Sequence, residues 1–163
     1  MNFELRHAFE HSPERVWETL FSPDYEQAAA SLSDITKEVV EEREEGVRSF
    51  RRTLCTSPRE LPAMMRRAIG SDRLTYTLEE IRHNDTMTLQ WRVIPTALGK
   101  KVRAEGSYRV IPALNGCERL VKGEVTVAIP LVGGKIERAI GGELKAGYET
   151  AWVFARKWLQ ENP

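Results

Sequence analysis

Apolar and polar residues alternate from the start of the chain. Phe3, Leu5, His7 and Phe9 share one face of a predicted strand, and Asn2, Glu4, Arg6 and Glu10 share the other. Ser12-Pro13 then supplies a helix N-cap followed by proline at the first helical position, where its missing N–H costs nothing. This helix carries Val16, Trp17 and Leu20 and stops near Ser22-Pro23, because a residue before proline avoids the α region. A second short helix is predicted over 24–31.

From Asp34 the pattern turns to strands. Residues 35–43 are expected to pair with 47–55 across Glu44-Glu45-Gly46, and 73–82 with 86–94 across Asn84-Asp85. Residues 102–111 pair with 119–129 across a loop holding Asn115-Gly116, a dipeptide that tolerates positive φ and so favours a tight hairpin. Connections this short require antiparallel neighbours. Met87, Leu89, Trp91 and Val93 alternate with Thr88, Gln90 and Arg92, and the runs Val102–Val110 and Val121–Ile129 alternate likewise. Each strand therefore has one apolar and one polar face, as in an antiparallel sheet with one wet side.

After Pro130 the period becomes helical, and 132–160 reads as one long helix. Val132, Ile136, Ile140, Leu144, Gly147, Tyr148, Ala151, Phe154, Ala155 and Trp158 fall on one face, with Lys135, Arg138, Lys145, Glu149 and Arg156 opposite. A one-sided sheet and a one-sided helix bury each other. The expected fold class is α+β: a curved antiparallel sheet of about seven strands around a long C-terminal helix, with two short helices after the first strand.

One connection differs from the rest. Residues 56–72 interrupt the meander with prolines and the amphipathic stretch Leu61-Pro62-Ala63-Met64-Met65-Arg66-Arg67-Ala68-Ile69. Two readings stand: a lid whose adjacent methionines, Met64 and Met65, cover a pocket, or a short helix that plugs the sheet edge.

Composition narrows the function classes. A chain of 163 residues with 41% hydrophobic and 29% charged residues is ordinary for one globular domain, expected to span 1–163. Lys plus Arg equals Asp plus Glu, so the formal charge is zero and the footprint of a nucleic-acid binder is missing. Cys55 and Cys117 lie in strand-like runs and are expected to be reduced thiols of a cytoplasmic protein. No apolar run approaches the ~20 residues needed to cross a bilayer, so stable membrane insertion is not expected. His7, His11 and His83 lack metal-ligand spacing, and Gly133-Gly134 lacks the spacing of a nucleotide loop. No cofactor is expected, and oligomeric state is open.

Ser12-Pro13-Glu14-Arg15-Val16-Trp17 with Pro23 following, and Ile129-Pro130-Leu131-Val132-Gly133-Gly134-Lys135-Ile136-Glu137 leading into the long helix, anchor a resemblance. With this order of elements the chain resembles the START-like or SRPBCC superfamily, the helix-grip fold of START domains, polyketide cyclases and plant Bet v 1-like proteins. The second stretch is similar to a little-characterised bacterial branch. The resemblance implies a cavity between the long helix and the inner sheet face, used by members to carry lipids, sterols or polyketides and less often to act on them. Ala104, Gly106, Gly123, Gly147 and Ala151 are expected to point inward and leave space. Phe50, Leu54, Leu89, Trp91, Tyr108 and Tyr148 would line it, together with Tyr76 and with Ile140 and Leu144 of the helix.

Glu143 is the odd residue on the apolar helix face. A carboxylate taken from water must be paired or become neutral. His7 on the first strand, and Arg52 on a face with Phe50 and Leu54, are its expected partners, forming a polar end of the pocket or a simple rim ion pair. The expected function is binding or carriage of a hydrophobic, lipid-like small molecule. Two alternatives stand beside it: a cyclase- or aromatase-like enzyme, in which Tyr76, Tyr108 and Tyr148 act as acids, and a co-chaperone-like interaction module with a solid core.

Overall fold

The computed structural model describes residues 1–163. Strand β1 (Asn2–Phe9) leads to helices α1 (Pro13–Leu20) and α2 (Pro23–Ala29). Strands β2 (Thr36–Glu45) and β3 (Arg48–Thr56) follow, then α3 (Ala63–Ile69). The chain continues through β4 (Thr75–His83), β5 (Thr88–Pro95), β6 (Val102–Ala113), β7 (Gly116–Val127) and the long helix α4 (Gly133–Glu161).

Local chemistry sets these boundaries. Ser12 and Ser22 cap α1 and α2 by accepting from the N–H groups of Arg15 and Tyr25, with Pro13 and Pro23 inside each start. Gly70, at φ 75°, ends α3 in the left-handed conformation that glycine adopts without a Cβ penalty. Gly133 opens α4 against the Val127 carbonyl, where a Cβ would collide.

The strands form one seven-stranded antiparallel sheet in the order β1-β7-β6-β5-β4-β3-β2. β1 closes on β7 by pairing Phe3 with Gly123, Leu5 with Val121 and His7 with Arg119. Neighbours β2 to β7 are all sequential, so only the β1–β7 pairing joins distant parts of the chain.

Helix α4 lies across the inner face. Its first turns are fixed by Ile136, fully buried, and by Glu137, which accepts a hydrogen bond from the Val127 N–H at 2.9 Å. Its last turns meet α2 through Tyr25, whose ring lies 5.6 Å from Phe154 and 5.9 Å from Trp158. Between these anchors α4 rests chiefly on β7 and β1. The consequence is an uneven interior: the inward residues of β7 and most of those of β6 are buried, whereas every residue of β4 is only half-buried. No helix is long and apolar enough to cross a membrane.

Two expectations about space need correction. Gly106 and Gly123 were expected to leave room for a ligand, yet a Cβ on Gly106 would lie 2.6 Å from the Trp91 ring. A Cβ on Gly123 would strike the Phe3 ring. These glycines make room for aromatic rings. Gly147 points to solvent, one helical step off the buried stripe.

Candidate functional site

Register decides which side chains look inward. Cys55 stands opposite Tyr76, Tyr76 opposite Pro95, and Leu78 opposite Val93, which in turn faces Ala104. Cys55, Thr53 and Ala104 are buried, so this parity is the inner one. On it lie Arg51, Thr53 and Cys55 of β3, Tyr76, Leu78, Glu80 and Arg82 of β4, and Leu89, Trp91 and Val93 of β5.

Phe50, Arg52 and Leu54 have the other parity and face outward, against expectation. Arg52 pairs there with Glu41 at 2.6 Å and Glu79 at 3.1 Å, and Phe50 lies beneath Arg43 and Arg52. The reason is that β3 carries apolar residues on both parities. Its small Thr53 and Cys55 are buried on the inner side, and the bulky Phe50 is covered by the Arg43 and Arg52 guanidinium groups instead.

Glu143 is exposed on α4 and meets neither His7 nor Arg52. The interior stripe of α4 runs through Ile136, Ile140, Gly141, Leu144, Tyr148, Ala155 and Leu159, and Glu143 projects about 100° away from Leu144.

The polar centre lies elsewhere. His7, 1% exposed, holds Glu149 Oε1 at 3.1 Å through Nε2, and Arg119 donates to its Nδ1 at 2.9 and 3.3 Å. A guanidinium has no acceptor, so Nδ1 must offer its lone pair and Nε2 must carry the proton. His7 is therefore the neutral Nε2–H tautomer, donating to Glu149. Burial pulls its pKa below the usual histidine value; Glu149 opposes the shift and Arg119 reinforces it. Trp152 stacks on the imidazole at 5.0 Å and donates its indole N–H to the Ala8 carbonyl.

Arg119 is itself 3% exposed and donates also to the Tyr148 carbonyl at 3.3 Å. Its guanidinium lies 5.5 Å from the Tyr108 ring centre and 5.2 Å from that of Tyr148. Two π faces and three donated hydrogen bonds thus stand in for a carboxylate partner.

Tyr108 and Tyr148 meet edge to face at 6.4 Å, and Trp91 lies 6.5 Å from Tyr148. Burial raises both phenol pKa values, while Arg119 opposes the rise, so both stay protonated. The Trp91 Nε1–H is buried and makes no hydrogen bond of good geometry, though it lies near enough to the Tyr148 hydroxyl to oppose the rise of that phenol's pKa. Glu80, on the same inner face, has its pKa raised by burial, an effect that Arg51, Lys37 and Arg82 oppose. Arg51 bridges Glu26 at 3.0 Å and Glu42 at 3.1 Å on the α2 side.

Met65 is buried and Met64 half-buried against the core, at the end of the interior where α4 begins. Tyr76 lies beside the Cys55 thiol, and burial raises both groups. Ile140, Leu144 and Tyr148 present half-buried side chains from α4. Of the expected set, His7, Met64, Met65, Tyr76, Leu89, Trp91, Tyr108, Ile140, Leu144 and Tyr148 thus belong to the interior. Arg119, Glu80 and Glu149 were not foreseen. Parity carried a signal for the first two: Arg119 precedes Val121 by two residues, and Glu80 follows Leu78 by two.

A groove of about 710 Å³ lies on the opposite, convex face, lined by Asn2, Glu4, Glu105, Ser107, Lys122 and Glu124 around Gly106 and Gly123. A smaller, half-open cleft of about 30 Å³ is bordered by Phe21, Glu42, Ser49, Phe50, Arg51, Glu80, Arg82 and Leu89.

A sheet that grips a long C-terminal helix, after two short helices, is a helix-grip, START-like fold. Solved structures agree. TTHA0849 from Thermus thermophilus superposes with a TM-score of 0.67 over 100% of both chains at 16% identity. The Zhui aromatase/cyclase from Streptomyces sp. R1128 gives 0.61 at 12% identity, over 98% of this chain and 94% of its own. Ara h 8.0201, a Bet v 1 allergen, gives 0.65 at 10% identity, over 95% and 97%. At such identities the likeness is one of fold. Within this class the chain belongs to the family described as a protein of unknown function (DUF2505), which matches residues 4–159. No curated protein matches by sequence.

Proposed function

We propose that the chain binds a hydrophobic, lipid-like small molecule with a polar head, between the inner face of β3–β5 and the facing sides of α3 and α4. The observation that carries this reading is Trp91 Nε1, a buried donor without a partner. It stands beside side chains that the fold leaves only half-covered. An unmade buried hydrogen bond costs about 1–3 kcal/mol, and a ligand oxygen at Trp91 would remove that cost. Tyr76, Leu78, Ile140, Leu144, Met64 and Met65 supply the apolar wall, and Tyr108, Tyr148 and Trp91 the polar end. His7 has both ring nitrogens engaged and acts by holding Arg119 in place. A fold shared with an aromatase/cyclase and a Bet v 1 allergen supports an apolar ligand.

The test is native mass spectrometry of the purified protein, together with thermal shifts against fatty acids, sterols and aromatic polyketides. A co-purifying ligand or a stabilising class is expected, and Trp91→Phe should bind it at least about fivefold more weakly. No bound molecule and no shift across the panel would defeat the proposal.

Catalysis on such a ligand is a second reading, favoured by Glu80. A carboxyl with a raised pKa near two protonated phenols is the kind of group that moves protons. Recovery of the ligand in two forms related by dehydration or ring closure, with a ratio changed by Glu80→Gln, supports it. A single unaltered form in both proteins counts against it.

A further inference from the structure

The three connections at one end of the sheet form a continuous surface. The Ala128 N–H donates to the Lys101 carbonyl at 2.8 Å, the Thr96 N–H to Thr75 at 2.9 Å, and the Leu61 N–H to Asp72 at 2.8 Å. The β3–β4, β5–β6 and β7–α4 connections are thereby tied together. Residues 57–74, 96–101 and 128–138 carry eight Lys and Arg against three Asp and Glu, in a chain whose formal net charge is zero. Arg59 and Arg66 are paired with Asp34 and Glu60. Arg67, Arg73, Lys100, Lys101, Lys135 and Arg138 are exposed and outside every ion pair.

Leu131 projects from this basic end. It is 103% exposed, with φ 70°, a backbone region that a branched side chain rarely enters. The Val132 N–H donates to the Pro130 carbonyl at 2.9 Å and closes a three-residue turn with Leu131 at its tip. The first turn of α4 then locks the strained residue outward, through Ile136 N–H donating to Val132.

We propose that this end docks on the surface of an anionic lipid bilayer, with Leu131 entering the headgroup boundary and the Lys and Arg rim meeting the lipid phosphates. An apolar tip within a basic rim is the combination that interfacial binding rewards. RNA is the less suited partner. The three connections contain no Phe, Tyr or Trp, so they offer bases no stacking platform. The opposite end supplies an internal control. Leu114 is 99% exposed there, on the end where the hairpin tips carry Glu44, Glu45 and Asp85.

The test is co-sedimentation of the full chain with vesicles of phosphatidylcholine alone and of phosphatidylcholine with phosphatidylglycerol. Binding is expected only to the anionic vesicles and should weaken with salt. Leu131→Asp and the double variant Lys100→Glu/Lys101→Glu should each reduce it about tenfold, and Leu114→Asp should leave it unchanged. Unaltered thermal melting of these surface variants ties any loss to docking. The proposal is overturned by equal binding to both vesicle types, or by a loss with Leu114→Asp as large as with Leu131→Asp. It is also overturned if retention on an RNA homopolymer exceeds vesicle binding and ignores Leu131→Asp.

Discussion

Replacing Arg119 by methionine keeps an aliphatic stem in place and deletes the guanidinium. One buried acceptor then loses its donor, His7 Nδ1, held at 2.9 and 3.3 Å; the Tyr148 carbonyl loses a second bond at 3.3 Å but keeps its donor within helix α4. The orphaned ring nitrogen costs about 1–3 kcal/mol. Loss of the cation over two tyrosine rings adds about 0.5–1 kcal/mol per ring. Against this, the variant no longer buries a charge, a gain of up to several kcal/mol. Because the cation is already compensated by three donated bonds and two π faces, the losses win. A net destabilisation of about 1–2 kcal/mol is expected, lowering Tm by about 2–8 °C. Urea unfolding at neutral pH measures it.

A pH series makes the same substitution more specific. In the wild type the folded pKa of His7 lies below its unfolded value near 6.5. Between those values the unfolded chain holds the extra proton, so stability from this group is complete above about pH 6.5 and is lost as pH falls toward the folded pKa. In Arg119→Met, Nδ1 is free to take a proton and Glu149 still accepts from Nε2, so the folded pKa rises and the acid loss shrinks. Equal stability of the two proteins at neutral pH would refute the hydrogen-bond assignment. So would the same slope of stability against pH between about pH 6.5 and 5.

Glu80 titrates in the opposite sense. Its folded pKa is raised, so its contribution is present at low pH and lost as pH rises through that value. Glu80→Gln should therefore stabilise the protein at neutral pH and flatten this part of the profile, as read by urea unfolding across the acid range. Gly123→Ala drives a methyl into the Phe3 ring and should cost about 1–3 kcal/mol; if the sheet accepts it without loss, the close approach there is wrong. Both thiols are buried, with Cys117 pushed up to about 11 by burial. Disulfide-exchange reagents near pH 8 should thus label neither until urea is added.

Much of the fold was legible because neighbouring strands each carried one apolar parity and the turns between them were marked. The edges of α1, α2 and β6 follow from Ser-Pro steps and Asn115-Gly116. What was not legible depended on phase. In β3, Phe50 and Leu54 compete with Thr53 and Cys55 for the inner face, and only the pairing of Cys55 with Tyr76 settles the contest. On α4, Glu143 and Glu149 are both acidic and near the boundary of the apolar stripe. Which of them reaches His7 depends on how the helix is rotated over β1 and β7, a tertiary quantity. Glu149, assigned to the solvent face, is half-exposed and still reaches in to the imidazole. The zero net charge was likewise accurate for the chain and silent about its segregation, since the basic connections converge only after folding.

Ligand placement is tested most directly by backbone NMR shift mapping, with the tightest-binding molecule from the lipid and polyketide panel. Binding between sheet and helix should move the amides of Tyr76, Leu78, Trp91, Leu144 and Tyr148, and bring the Trp91 indole N–H signal to a hydrogen-bonded position. Shifts confined to Glu4, Glu105, Lys122 and Glu124, around the convex groove, would contradict it, as would an unmoved Trp91 indole at saturation.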